Sequence, residues 1–165
     1  MLTTQRISPP PCRDVRIHRG AAMLELRTTV DSAMGWILDR FQPALVAAID
    51  VARSRGTGAG RLAALDAGAY AAVFAFGAPR RRRGLDDTLL AQIARVLVDD
   101  GALVVGDCVP GRLGRIDSDQ DDPSPPMTEL CARIEAAGLA IFTRAPRDPE
   151  VGRLIVARKT TRRAS

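Results

Sequence analysis

Apolar residues in this chain alternate between short continuous runs and longer stretches at helical spacing, and the stretch 86–110, DDTLLAQIARVLVDDGALVVGDCVP, shows both kinds in succession. Leu89, Ile93, Val96 and Leu97 recur every three or four positions with Leu90 and Ala94 beside them, which predicts a helix with one apolar face. Asp86 and Asp87 open it, where carboxylates cap free N–H groups and meet the positive end of the helix dipole. Gly101 suits the left-handed residue that closes a helix. Asp99 and Asp100 just before it would then oppose the dipole, at roughly 0.3–1 kcal/mol each. Ala102–Val105 follows as a short apolar run, the pattern of a strand buried on both faces. Helix, tight turn and buried strand form half of a βαβ unit, so the pattern predicts an α/β sheet.

The same alternation runs through the rest of the chain. Ala21–Leu26 (AAMLEL) reads as a first strand, centred on Met23–Leu26. Asp31 and Ser32 offer helix caps before the apolar face Ala33, Ile37, Leu38 and Phe41, and Pro43 stops that helix. Ala44–Ile49 is a second buried strand ending in Asp50, and Tyr70–Phe76 a third. Between them, Gly56-Thr57-Gly58-Ala59-Gly60 reads as a flexible connector, since a glycine run without its strand–turn–helix context is a weak ligand signal. Met127–Ala137 is a helix, with Leu130 and Ile134 on one face, Met127 and Cys131 flanking them, and Gly138 at its end. Leu139–Ala145 and Val151–Lys159 then pair as a hairpin around Pro146-Arg147-Asp148-Pro149. The predicted core includes Leu24, Trp36, Val46, Phe74, Ile93, Val104, Ile134 and Ile155. Outside this pattern, residues 1–20 carry Pro9-Pro10-Pro11 and read as a flexible tail, with Met23 a second possible start. Residues 21–159 form one domain, and 160–165 a basic tail.

Composition narrows the chemistry. With 165 residues, 46% of them hydrophobic, the chain can bury one core. Its net charge of +5 is almost wholly arginine, Lys159 being the one lysine. No apolar run is long enough to span a membrane, and the N-terminus lacks the apolar core of a signal peptide. Cys12, Cys108 and Cys131 are odd in number and far apart, which reads as reduced thiols in a cytoplasmic protein. One histidine, His18, leaves no basis for a histidine-built catalytic or zinc site. Asp117, Asp119, Asp121 and Asp122 hint at a calcium loop, but Asp122 stands at its glycine position and Thr128 at its glutamate position. The segment reads as an acidic loop with no metal. Arg80-Arg81-Arg82-Arg83 reads as a solvated basic turn before a helix, the alternative being a grip on a phosphate or acidic substrate.

Three segments carry a family resemblance. Arg95-Val96-Leu97, then Gly101 and Leu103-Val104-Val105, resembles the "RVL-x-PGG-x-L" segment of class I S-adenosylmethionine-dependent methyltransferases of the type 11-like group. Asp99 and Asp100 stand where that family has Pro and Gly. Tyr70 to Phe76 resembles its fourth strand, with Ala71 in place of the usual Asp. Glu129–Leu139 (ELCARIEAAGL) followed by two strands ending in LIVARK resembles its C-terminal ending. The resemblance implies a three-layer, Rossmann-like sheet, mostly parallel, with an antiparallel C-terminal hairpin. It also implies one strand too few: from Asp50 to Tyr70 there is no room for the helix, strand and helix of longer relatives. The third strand of the family is the one expected to be missing.

The resemblance further implies S-adenosylmethionine as cofactor, with Glu25 at the acid of the first strand and Asp50 at the acid that reads the ribose hydroxyls. Between them the family has Gly-x-Gly-x-Gly, whose glycines permit a tight turn and close backbone approach to the ligand. Here those positions hold Arg27, Thr29 and Asp31, side chains that fill ligand space and resist positive φ. The expected cofactor positions are thus Glu25, Arg27, Thr29, Asp31 and Asp50, with weakened binding and no assigned catalytic residue. Methyl transfer from a sulfonium needs alignment more than acid–base groups, so the lack of histidine does not exclude it.

Two functions compete. One is a methyltransferase-like protein with impaired cofactor binding that acts through a partner, as a homo-oligomer or a heterodimer with an active homologue. The other is an active small-molecule methyltransferase with a divergent site. A nucleic-acid binder would rest on charge alone and lacks the aromatics that stack bases. Losing the third strand would also leave the second strand at a sheet edge, which must be covered or paired.

Overall fold

The computed structural model of the protein describes residues 17, 20–27, 32–51, 58–80, 85–110 and 125–161. In chain order the elements are β1 (Ala22–Arg27), α1 (Met34–Phe41), β2 (Leu45–Asp50), α2 (Gly58–Ala63), β3 (Tyr70–Phe76), α3 (Asp87–Val96), β4 (Leu97–Gly106), α4 (Met127–Ala136), β5 (Leu139–Asp148) and β6 (Gly152–Lys159), with a single 3-10 turn at Ala78–Arg80 after β3. The strands form one six-stranded sheet in the order β2-β1-β3-β4-β6-β5. β2, β1, β3 and β4 run parallel, and β6 and β5 complete the sheet antiparallel. This is the mostly parallel α/β sheet with a C-terminal hairpin that the pattern predicts. Among the described residues it has six strands, with β2 at one edge and β5 at the other.

Helices cover both faces, which gives three layers. On one face Leu24, Leu26, Val73, Leu103, Val105 and Ile155 pack against Leu62 of α2, Leu90 and Ile93 of α3, and Leu130 and Ile134 of α4. On the other, Met23, Phe74, Phe76, Val104, Leu154 and Val156 meet Ala33 and Ile37 at α1. Strand alternation produces this division, since successive side chains of a fully covered strand serve opposite faces. Of the predicted core, Leu24, Phe74, Ile93, Val104, Ile134 and Ile155 are buried. Trp36 and Val46 are half-buried. Trp36 still meets Phe76 and Phe74 edge-on, at ring-centroid distances of 5.5 and 6.2 Å. Val46 is limited by its place on an edge strand.

The central helix starts as expected: the Asp86 carboxylate accepts the Leu89 N–H at 2.8 Å. Its end differs. α3 stops at Val96, and Leu97 already lies in β4. Gly101 is therefore not a helix cap, and Asp99 and Asp100 do not oppose the dipole from the last turn. Leu97 pairs with Tyr70, and Ala102 with Ala72, so Val98 to Gly101 bulge out opposite Ala71. The left-handed residue of the bulge is Asp100, at φ 62°. Gly101 is required for space instead: a Cβ there would sit 2.7 Å from the Val98 carbonyl oxygen and 3.3 Å from that of Ala71.

Two long cations tie this junction down. Arg95, from the RVL segment, donates through Nη2 to the carbonyls of Leu62 and Leu65 at 2.8 and 2.7 Å, satisfying acceptors at the end of α2. Lys159 donates to the Leu97 carbonyl at 2.8 Å, tying the end of β6 to the start of β4. The glycine run also needs correction. Gly58, Ala59 and Gly60 form the first turn of α2 rather than a connector, and a Cβ on Gly58 would lie 3.0 Å from Val51 Cγ1. Gly56 and Thr57 lie outside the described residues, as do His18, Cys12, Arg81 to Arg83 and the acidic segment Asp117 to Asp122.

Gly101→Ala should destabilise the protein by about 1–3 kcal/mol, because backbone oxygens cannot move aside as a side chain would. Lys159→Met, which keeps the stem and removes the donor, should cost about 1–2 kcal/mol. Urea unfolding monitored by far-UV circular dichroism measures both, and an unchanged midpoint for either would contradict the junction as described.

Candidate functional site

In a sheet of this kind ligands bind outside the carboxyl ends of the parallel strands. That rim is formed here by the ends of β2 (Asp50), β1 (Arg27), β3 (Phe76-Gly77) and β4 (Gly106-Asp107). Register brings Arg27 beside Asp50 and Phe76 beside Gly106. Gly77 closes β3 in the left-handed region, at φ 82°, and its N–H donates to the Gly106 carbonyl at 2.8 Å. A Cβ on Gly106 would fall 2.8 Å from Phe76 Cδ1 and 2.9 Å from Val151 Cβ, so glycine lets the two strand ends and the hairpin close together.

Of the five expected cofactor positions, the structure describes Glu25, Arg27 and Asp50; Thr29 and Asp31 lie outside the described residues. Glu25 sits in the middle of the sheet between Ala48 and Phe74 and is only 3% exposed. A buried carboxylate must find donors, and this one finds them in its own chain. Oε1 accepts the Ala33 N–H at 2.6 Å, and Oε2 accepts the Ser32 hydroxyl at 2.8 Å. The same hydroxyl accepts the Met34 N–H at 3.1 Å. Arg27 Nε lies 3.5 Å from Oε2 on the same side of the strand, and that buried nitrogen makes no hydrogen bond. Glu25 thus does the capping work at the start of α1 that the sequence assigns to Ser32 and Asp31, with Ser32 as its relay. Negative charge at a helix N-terminus is also favoured by the dipole.

Both Glu25 oxygens are engaged within the chain, and the group is closed to solvent. Asp50 stands at the rim. It ends β2, half-buried and next to the end of β1, and its carbonyl accepts from Arg61 at 3.2 Å. Arg27 turns back toward Glu25 and stays partly exposed at the rim.

The pattern alone does not single out a second rim feature. Asp107, immediately beyond β4, takes Arg153 Nε at 3.0 Å and Nη2 at 3.0 Å, and accepts the Arg153 N–H at 3.0 Å. Arg153 also donates to the Pro125 carbonyl. The one sequence signal is an acid directly after a buried strand, and its arginine partner is 46 positions away. The pair closes the rim between β4 and the hairpin. Beside it, Pro79, Val105, Met127, Leu130, Arg153 and Ile155 line an apolar crevice too tightly closed to admit a water-sized molecule. Among the described residues no cluster of histidine, cysteine, aspartate and glutamate could hold a metal. No helix there is long and apolar enough to cross a membrane.

No protein-family model matches the sequence, and neither does any curated protein. Solved structures do match the fold. A chain from the complex of the Haloferax volcanii Trm112 methyltransferase activator with its methyltransferase is similar at TM-score 0.61 and 14% identity, over 88% of this chain and 85% of that one. A Methanosarcina mazei S-adenosylmethionine-dependent methyltransferase gives 0.60 and 10%, over 92% and 98%. The Burkholderia thailandensis 1,6-didemethyltoxoflavin-N1-methyltransferase, solved with its substrate and S-adenosylhomocysteine, gives 0.54 and 16%, over 87% and 72%. At these identities the likeness is one of architecture: the chain has the class I fold of S-adenosylmethionine-dependent methyltransferases.

Proposed function

We propose that the protein is a methyltransferase-like member of the S-adenosylmethionine-dependent class whose cofactor binding is impaired and which acts through a protein partner. The observation that carries this reading is the engagement of Glu25. The first-strand acid is enclosed by Ala33 N–H and Ser32 Oγ, with the Arg27 side chain folded against it, where the resemblance calls for glycine. Support for a partner comes from the exposed edge of β2 and from a neighbouring fold that is itself solved with an activator. The odd number and wide spacing of the cysteines support a reducing, cytoplasmic setting.

The second reading, an active enzyme taking a small-molecule acceptor, is favoured by Asp50 alone, an acid at the right strand end. Calorimetric titration separates the two. Occluding or strained positions cost on the order of 1–3 kcal/mol each, so two or three of them weaken binding by roughly a hundredfold or more. S-adenosylmethionine and S-adenosylhomocysteine should give no saturable heat in the low micromolar range. The triple change Arg27→Gly, Thr29→Gly, Asp31→Gly should strengthen binding. Micromolar affinity in the unaltered protein, lost on Asp50→Ala, would instead establish the active reading.

Glu25→Gln probes the same point from the side of the fold. The amide keeps one acceptor oxygen and loses the charge and the second acceptor that Ala33 and Ser32 share between them, and hydrogen bonds to a charged group contribute about 1.5–3 kcal/mol. The variant should unfold at correspondingly lower urea. Unchanged stability with selective loss of cofactor binding would return Glu25 to the ligand.

A further inference from the structure

The two edges of the sheet are built differently. β5, at one end, carries Arg144, Pro146 and Arg147, all exposed. Charges and proline on an edge strand discourage pairing with another chain. β2, at the other end, reads LVAAID, with no proline and no charge before Asp50. Among the described residues no strand lies beyond it. Its Leu45 is 56% exposed, although the flanking helices α1 and α2 follow directly before and after the strand.

Which backbone groups face outward follows from the ladder. The Val51 N–H donates to the Arg27 carbonyl at 2.8 Å. Alternate residues of a parallel strand address the same neighbour, so Ile49, Ala47 and Leu45 turn their groups to β1. Val46, Ala48 and Asp50 turn theirs outward. The outward carbonyl of Asp50 already accepts from Arg61. Val46 and Ala48 therefore carry the donors and acceptors that a further strand would use.

We infer that β2 pairs antiparallel with β2 of a second copy of this chain, centred on Ala47, joining two six-stranded sheets into one. In that register Val46 faces Ala48 of the other copy, and each such pair exchanges two N–H···O bonds. The dyad repeats the pair, so every outward group of Val46 and Ala48 is satisfied while Asp50 keeps Arg61. Leu45 then faces Ile49 of the other copy at a non-hydrogen-bonded position, where side chains approach closely. Both lie on the face covered by α2 and α3, since Ala47 and Ile49 pack into that core. Val46 meets Ala48 on the α1 face. A register centred on Ala48 does worse: it opposes Val46 to Asp50 and makes Val46 compete with Arg61 for the Asp50 carbonyl. Asp50 meets no like charge in the chosen register. A strand edge can also recruit an unrelated protein, but here the strand complements itself in sequence, in hydrogen bonding and in its exposed leucine.

This deepens the partner half of the proposed function and rests on it only there; it needs no cofactor. An interface of one strand pair is small and weak, so sedimentation velocity of the full chain is run without cofactor up to roughly 0.5 mM, where a monomer–dimer equilibrium is expected. Ala48→Pro removes an outward N–H without touching the β1 ladder, and should leave the circular-dichroism spectrum intact and abolish dimerisation. Should that variant fail to fold, Ala47→Cys decides. At a dyad-centred non-hydrogen-bonded site the two Cβ atoms lie about 4.5–5.5 Å apart, so mild oxidation should yield a disulfide dimer under conditions where the unaltered protein yields none. Ala48→Cys serves as the register control. A monomer at all concentrations, or cross-linking through Ala48→Cys in place of Ala47→Cys, overturns the inference. A cofactor titration that fails or succeeds leaves it standing.

Discussion

β4 is bonded on both sides, in parallel to β3 and antiparallel to β6, and the sheet changes direction there. Its Leu103 and Val105 belong to the core on the α2–α3–α4 face, and its Val104 to the core on the α1 face. Because α3 runs into β4 with no intervening loop, the chain absorbs the mismatch between helix end and strand register in the bulge Val98 to Gly101. That bulge permits no Cβ at Gly101 and is held by Lys159 from β6. Arg95 joins α2 to the same junction. The resemblance to the RVL-x-PGG segment thus has a mechanical content in this chain, which concerns packing and carries no chemistry of its own.

The acid of β1 shows how one position can serve fold or ligand but not both with the same oxygens. Buried beside Phe74, Glu25 needs donors, and α1 supplies them within reach of the strand. Ala33 and Ser32 between them engage both of its oxygens. What this arrangement gains is a fixed entry angle for α1, the helix that supplies Ile37 to the core and Trp36 to the aromatic cluster. A fold shared with methyltransferases does not by itself bring their chemistry with it.

Much of the architecture was legible in the sequence, because burial on both faces forces near-continuous apolar strands and amphipathic covering helices, and those patterns are local. Tyr70 to Phe76 is a strand end to end, Asp86 caps α3, and Gly138, at φ 90°, follows α4 as its stop residue. The end of α3 was not legible. Leu97 continues the helical spacing, yet it pairs with Tyr70, and a strand partner can override local periodicity. For the same reason Gly101 reads in the sequence as a helix stop, whereas its close approach to Val98 and Ala71 is visible only in three dimensions. The resemblance places Glu25 at the acid of the first strand, whereas its engagement by Ser32 and Ala33 depends on how α1 docks. Asp107 and Arg153 meet only because β4 and β6 are neighbours, and the open edge of β2 is a property of strand order. Spacing along the chain determined which residues are apolar together; which polar groups remain to meet a ligand or another chain was decided by tertiary pairing, since partners there are chosen by distance in space.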